Sequence, residues 1–279
     1  KIPFWLQPDF YYSGAAWYQR EIRIPSSWKG QRIRLTLERC HWGSAVWLDE
    51  VYIGSLDYLS TAHYYDLPDR VKPGKHRLTI RIDNRMLVNV GENAHSVTDH
   101  TQTNWNGIIG KMTLEALPLV SLGQINIYPD VKNRTIRITG EIENKSVNAE
   151  DISLQLYAKP YQSSGKALNP IGIKKSVLPG KETFEIMYSM GDDCRMWDEF
   201  SPNLYTMHFR LTMIRTSRTQ ISDILFGMRN IAINGSRFAI NGRPVFLRGT
   251  LECAIFPRTG YPEMKEEGWQ RIFRIIKAH

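Results

Sequence analysis

The chain has 279 residues, room for roughly two domains of about 150 residues and a remainder, and its 42% hydrophobic and 23% charged content is that of a packed globular protein. Nothing in it reaches the ~18 consecutive apolar residues of a membrane-spanning helix, and Lys1-Ile2-Pro3-Phe4-Trp5 runs straight into folded-looking sequence, so no signal peptide is visible, which says little about where the natural protein resides. The net charge of +8 raises a nucleic-acid partner, but its carriers are dispersed: Arg32, Arg34, Arg77, Arg81, Arg134 and Arg137 sit one or two at a time in strand-like segments. They are expected on solvated outer faces of sheets, with no nucleic acid bound.

The three cysteines, Cys40, Cys194 and Cys253, lie far apart without metal-ligand spacing, so neither a metal nor another cofactor is expected. Their odd number excludes a full disulfide framework and leaves one bridge open. The 8 Trp and 13 Tyr form a heavy aromatic load, of the kind set against sugar rings or buried in large β cores.

In chain order, Ile33, Leu35 and Leu37 alternate with Arg32, Arg34 and Thr36, predicting a strand with one buried face. Trp47 to Gly54 reads as two short strands around the acidic turn Asp49-Glu50. Val71-Lys72-Pro73-Gly74-Lys75 supplies a turn before a second alternating strand on Leu78, Ile80 and Ile82. This first β domain is placed at residues 1–118. A second, over 119–233, repeats the pattern at Ile125/Ile127, Ile136/Ile138, Ile152/Leu154/Leu156 and Phe184/Ile186/Tyr188, with last strands at Leu204–Met213 and Asp223–Met228. Short strands at this spacing suggest an immunoglobulin-like sandwich.

The pattern then changes. Asn241-Gly242 is suited to a type I′ turn, making Phe238–Leu247 a hairpin, and Trp269, Ile272, Phe273 and Ile276 mark an amphipathic helix. The strand at Val245–Leu247, a loop and this helix read as a single βα unit, the truncated first unit of a larger α/β domain over 234–279.

Several stretches carry a resemblance, in order. Trp17-Tyr18-Gln19-Arg20-Glu21-Ile22 and Ser44-Ala45-Val46-Trp47-Leu48-Asp49 with Gly54 are similar to two signatures of the jelly-roll domain of glycoside hydrolase family 2, the β-galactosidases, β-glucuronidases and β-mannosidases. Asn104-Trp105-Asn106-Gly107-Ile108-Ile109-Gly110 resembles its "sGiyR" segment, with Gly110 where Arg is common. Trp197 to Tyr205 resembles "lWsPe.PnLY". Phe226-Gly227-Met228-Arg229, Phe238 to Gly242 and Val245 to Gly249 resemble the family's approach to its TIM barrel. The continuation departs: Thr250-Leu251-Glu252-Cys253 replaces the usual Asn and His.

The resemblance implies a mainly β chain: jelly roll, immunoglobulin-like sandwich, then the first βα unit of a TIM barrel. It implies the N-terminal part of a retaining exo-β-glycosidase whose two catalytic Glu residues lie on later barrel strands, so no catalytic pair is assigned and the chain by itself is expected to be inactive. Carbohydrate is the implied substrate of the full-length protein, and homo-oligomerisation is left open. Analogy with bacterial polysaccharide-degrading enzymes favours a periplasmic or secreted location. The candidate sugar-binding residues are Asp99, His100, Asn104, Trp105 and Asn106, in a loop that in the family can reach the barrel mouth, and Glu252, placed just past the first barrel strand. Asp, Asn and His grip hydroxyls, and Trp105 offers a stacking face. His41, Trp42 and Trp47 are expected in core or interface. The alternative function is a free-standing carbohydrate-binding or adhesion module.

Overall fold

The computed structural model describes residues 12–69, 71–94, 97, 106–162, 166–251 and 263–278. Its contacts divide the chain into two units, Lys1–Ala116 with Gly249–His279, and Leu117–Arg248.

The first unit contains β1 (Ala15–Ile24), β2 (Arg32–His41), β3 (Gly43–Leu48), β4 (Val51–Leu56), β5 (His63–Asp66), β6 (Gly74–Asp83) and β7 (Gly107–Leu117). They form a four-stranded sheet, β1-β6-β3-β4, and a three-stranded sheet, β5-β2-β7. The alternating residues go inside: Ile33, Leu35, Leu37, Leu78, Ile80 and Ile82 are all buried in one core with Val46, Leu48 and Tyr65. The acidic turn forms as read, with Asp49 at φ 54° between β3 and β4. His41 and Trp42 are buried, and the Trp42 indole N–H donates to the Asp57 carbonyl at 2.7 Å.

One pair departs from expectation. Arg32 is buried rather than solvated, and Arg34 is half-buried. Both reach the Asp66 carboxylate on the neighbouring strand, Arg32 Nη2 at 2.7 Å and Arg34 Nε at 3.0 Å. A charge-assisted bond to a carboxylate offsets the cost of drawing the guanidinium out of water.

The second unit contains β8 (Val120–Asp130), β9 (Thr135–Asn144), β10 (Glu150–Pro160), β11 (Leu168–Val177), β12 (Gly180–Ser189), β13 (Tyr205–Met213) and β14 (Thr219–Phe226). Sheets β12-β9-β8 and β11-β10-β13-β14 are antiparallel, the seven-strand arrangement of an immunoglobulin-like sandwich. Ile136, Ile138 and Ile142 of β9 meet Ile152, Leu154 and Leu156 of β10 and Met207, Phe209 and Leu211 of β13 in the core. The Tyr188 hydroxyl of β12 ties the sheets together, accepting from the Ala158 N–H of β10 at 3.0 Å and donating to the Leu168 carbonyl of β11.

A small sheet follows: β15 (Ile231–Asn234), β16 (Arg237–Ile240) and β17 (Arg243–Pro244). Asn241 at φ 51° and Gly242 at φ 80° make the turn predicted from their dipeptide. The helix also forms, as α1 (Glu266–Ala278), none of whose residues is fully buried.

The strand expected at Val245–Leu247 does not form: residues 245–251 have no regular structure. A parallel strand needs hydrogen-bonding neighbours along its length. Here Val245 alone extends the hairpin, its N–H donating to the Phe238 carbonyl at 2.9 Å.

Candidate functional site

Two clusters of motif residues can be built from the structure, one in each unit. The first lies where β1 begins and β6 ends. Asn84, just past β6, donates through Nδ2 to the Tyr12 carbonyl at 2.7 Å and to the Asn106 Oδ1 at 2.9 Å. Its own Oδ1 accepts from the Gly14 N–H at 2.7 Å. His41 Nδ1 stands 3.3 Å from the same Asn106 oxygen, so one amide just before β7 meets the ends of β2 and β6. Beside it, the Arg85 guanidinium on Asp83 holds that carboxyl below the usual carboxylate range, and Asp83 keeps its charge at neutral pH.

Of the predicted sugar-binding residues, Asn106 is the one the structure places here, exposed and held by this network. Asp99, His100, Asn104, Trp105 and Glu252 lie outside the described residues. Asn84 and His41, the partners of Asn106, carry no local motif in the sequence. They are 22 and 65 positions away in the chain, and the signal for them is strand register rather than any local motif.

A second constellation invites a nucleophile reading and fails it. Ser44 Oγ lies 2.5 Å from His63 Nδ1 and 2.6 Å from the Tyr65 hydroxyl. All three residues are buried, and burial pushes the His63 pKa down, keeping the ring neutral. This is a satisfied core network with no approach for a substrate. Cys40, buried near it, has its thiol pushed up to about 11 by desolvation, and it and Cys194 are free thiols. Among the described residues no group of three or more His, Cys, Asp or Glu could hold a metal.

The second cluster of motif residues gathers three stretches far apart in sequence. Trp197 donates its N–H to the Met228 carbonyl at 2.9 Å, and its ring carries the Arg229 guanidinium at 4.6 Å from the centroid. A Cβ at Gly227 would come within 3.0 Å of the Trp197 side chain, so the indole packs against bare backbone. From the hairpin turn, Asn241 Nδ2 donates to the Trp197 carbonyl at 3.0 Å and Asn241 Oδ1 accepts from the Asn230 N–H at 2.9 Å. Asp198 caps its own turn, accepting from the N–H groups of Phe200 and Ser201. A groove of about 370 Å³ opens beside this knot between Phe200, Asn241 and Arg243. The "lWsPe.PnLY", "fGfR" and "NG" stretches are therefore one physical joint that fixes the hairpin to the sandwich.

Residues 120–229 match the family model for glycosyl hydrolases family 2. The second unit of this chain is thus similar to that family. Among curated relatives it is 20% identical over 260 residues to the β-galactosidase large subunit of Latilactobacillus sakei, covering 92% of this chain and 39% of that protein. It is 23% identical over 260 residues to the β-glucuronidase of Paenibacillus borealis, covering 85% and 40%. The fold resembles the solved Bacteroides uniformis β-glucuronidase 2, which carries a covalently bound cyclophellitol-6-carboxylate aziridine, with a TM-score of 0.78, 21% identity and coverage of 96% of this chain and 32% of that one. The chain thus spans about a third to two fifths of these proteins' length.

Gly110, in the stretch that resembles the "sGiyR" segment, has surroundings that favour glycine. It sits at φ 77°, and a Cβ there would come within 2.6 Å of the Glu38 carboxyl, which accepts from the Lys111 N–H at 2.6 Å. Any side chain at this position would strain the backbone and require the Glu38 carboxyl to shift.

Proposed function

We propose that this chain is the N-terminal part of a retaining exo-β-glycosidase acting on O-glycosidic bonds of β-linked sugars, and that by itself it does not catalyse hydrolysis. The observation that carries the reading is the Trp197–Gly227–Arg229–Asn241 joint, in which family stretches from three parts of the sequence meet at one place. The domain reading follows the motifs: a jelly roll to about residue 118, an immunoglobulin-like sandwich over 119–233, and the approach to a barrel over 234–279. The exposed Ile231, Ile233, Phe238, Phe246 and Leu247 support a covering partner for that last segment.

In this reading the loop ending at Asn106 contributes to the sugar pocket, with Asp99, His100, Asn104 and Trp105 along it and Glu252 from the barrel side. The network of Asn84 and His41 supplies a fixed base for that loop. Retaining cleavage requires an acid and a nucleophile about 5–5.5 Å apart across the anomeric centre. A lone Glu252 cannot both protonate the leaving group and attack from the other face.

The test incubates residues 1–279, and separately the full-length parent, with nitrophenyl β-galactoside, β-glucuronide and β-mannoside. The reading predicts turnover by the parent and none above buffer by the chain. Turnover by the chain that Glu252→Gln abolishes would overturn it.

A further inference from the structure

The outer face of the first unit's four-stranded sheet carries residues that neither the core nor the Asn106 cluster uses. Register pairing lays Gln19 of β1, Thr79 of β6, Trp47 of β3 and Tyr52 of β4 in one row across all four strands. In the next row Trp17 lies opposite Arg81, which in turn lies opposite Ala45. The ring centroids of Trp17 and Trp47 are 5.2 Å apart, and those of Trp47 and Tyr52 are 5.3 Å apart. Trp17 is 60% and Tyr52 54% exposed, an unusual state for rings that could have been turned inward.

The three rings form a continuous aromatic strip in which neighbouring planes are tilted by 35° and 51°. Polar groups flank it. Gln19 Nε2 donates to the Thr79 hydroxyl at 3.1 Å, leaving further donors and acceptors on both side chains. Past Gln19 the strip continues into an open groove of about 670 Å³ lined by Glu21, Asp49, Glu50, Lys75, His76 and Arg77. The groove's charges are balanced, with Lys75 on Glu21 at 2.8 Å and His76 on Asp49 at 2.9 Å.

We infer that this strip and groove are a binding site for a β-linked glycan chain, separate from the sugar pocket proposed above. Pyranose rings present apolar C–H faces that stack on flat aromatic rings, while their equatorial hydroxyls need hydrogen-bond partners along the edges. A strip of three rings edged by amide, hydroxyl and paired charges offers both. A second copy of this protein is a poorer occupant, because the groove beside the rings carries the Lys75–Glu21 and His76–Asp49 pairs, which an interface would have to desolvate. Six residues of β1, about 20 Å at 3.3 Å per residue, separate Ala15 at the Asn106 end of the sheet from Glu21 in the groove.

The experiment screens residues 1–279 against immobilised β-linked oligosaccharides, neutral and uronate, and titrates the hits by calorimetry. Trp17→Ala and Tyr52→Ala, both exposed, are compared with Tyr64→Ala on the other sheet, and far-UV circular dichroism and sedimentation are recorded for each. The expected result is measurable binding of a chain of several sugars, weakened about tenfold by either strip substitution and unchanged by Tyr64→Ala. Trp17→Ala in the full-length parent should leave hydrolysis of small aryl glycosides within twofold, which separates this inference from the proposed activity. Binding by none of the oligosaccharides, binding indifferent to both strip substitutions, or a change in self-association in place of glycan affinity would each overturn it.

Discussion

The Arg229 guanidinium lies over the indole of Trp197, 4.6 Å from the ring centroid, and both residues come from stretches the sequence marks as family-like. The contact gives those stretches a physical reason. Trp197 closes the connection between β12 and β13, Arg229 follows β14, and the cation on the ring draws the exit of the second sandwich against its own loop. Asn241 completes the joint from the hairpin.

Asn241→Ala should therefore destabilise the second unit. It removes two hydrogen bonds worth about 1 kcal/mol each and places a residue that disfavours the left-handed region at φ 51°. The expected loss is about 2–3 kcal/mol by urea denaturation. Asn241→Gly, which keeps the turn and loses the bonds, should cost less. Equal stability of the alanine variant and the wild type would contradict the role given to the joint.

Restoring the family's arginine, Gly110→Arg, should be harmful in this chain. The backbone at φ 77° and the Glu38 carboxyl 2.6 Å from the new Cβ both oppose it. A loss of about 2 kcal/mol or more is expected, partly recovered in the double variant with Glu38→Ala, which removes the clash and leaves the backbone strain. Thermal melts of the two single variants and the double variant measure the coupling.

His76 should titrate above an ordinary histidine. The Asp49 carboxylate that accepts its Nδ1–H raises its pKa, and Asp49 is itself held low by the Arg77 N–H and by His76. For a raised histidine, the stabilisation is fully present below the unfolded-state pKa and is lost as pH rises through the folded-state value. For the lowered Asp49, stabilisation is present above its unfolded-state pKa and is lost as pH falls through the folded-state value. Both contributions therefore overlap in mildly acidic solution. Proton NMR of the imidazole should place His76 above the model-peptide value, and Asp49→Asn should bring it down.

Cys40 and Cys194 should resist alkylation in the native chain. Both are buried, and desolvation raises both thiol pKa values, Cys40 to about 11, so the reactive thiolate is scarce at neutral pH. Peptide mapping after iodoacetamide at pH 8 should find them unmodified until the chain is unfolded.

Much of the fold was legible because its strands bury one face cleanly. The alternation of Ile33, Leu35 and Leu37, of Leu78, Ile80 and Ile82, and of Ile152, Leu154 and Leu156 is the alternation of the observed cores. The Asn241-Gly242 turn and the helix at Trp269 were local signals and formed. Arg32 was misjudged because its partner Asp66 is 34 residues away, beyond any local pattern. The strand at Val245–Leu247 was misjudged because its pairing depends on neighbours rather than on its own composition. The Trp17–Trp47–Tyr52 strip was invisible for a related reason: Trp47 reads locally as core or interface, and only the register across the sheet puts it on one outer face with Trp17 and Tyr52.

The central claim concerns the parent's chemistry, and the stereochemistry of its product tests that most directly. Proton NMR recorded during hydrolysis of an aryl β-glycoside by the full-length parent should show the β-anomer of the free sugar first, with the α-anomer growing in by mutarotation, as two carboxyl groups about 5–5.5 Å apart require. Initial release of the α-anomer, or failure to hydrolyse any β-glycoside tried, would contradict the account.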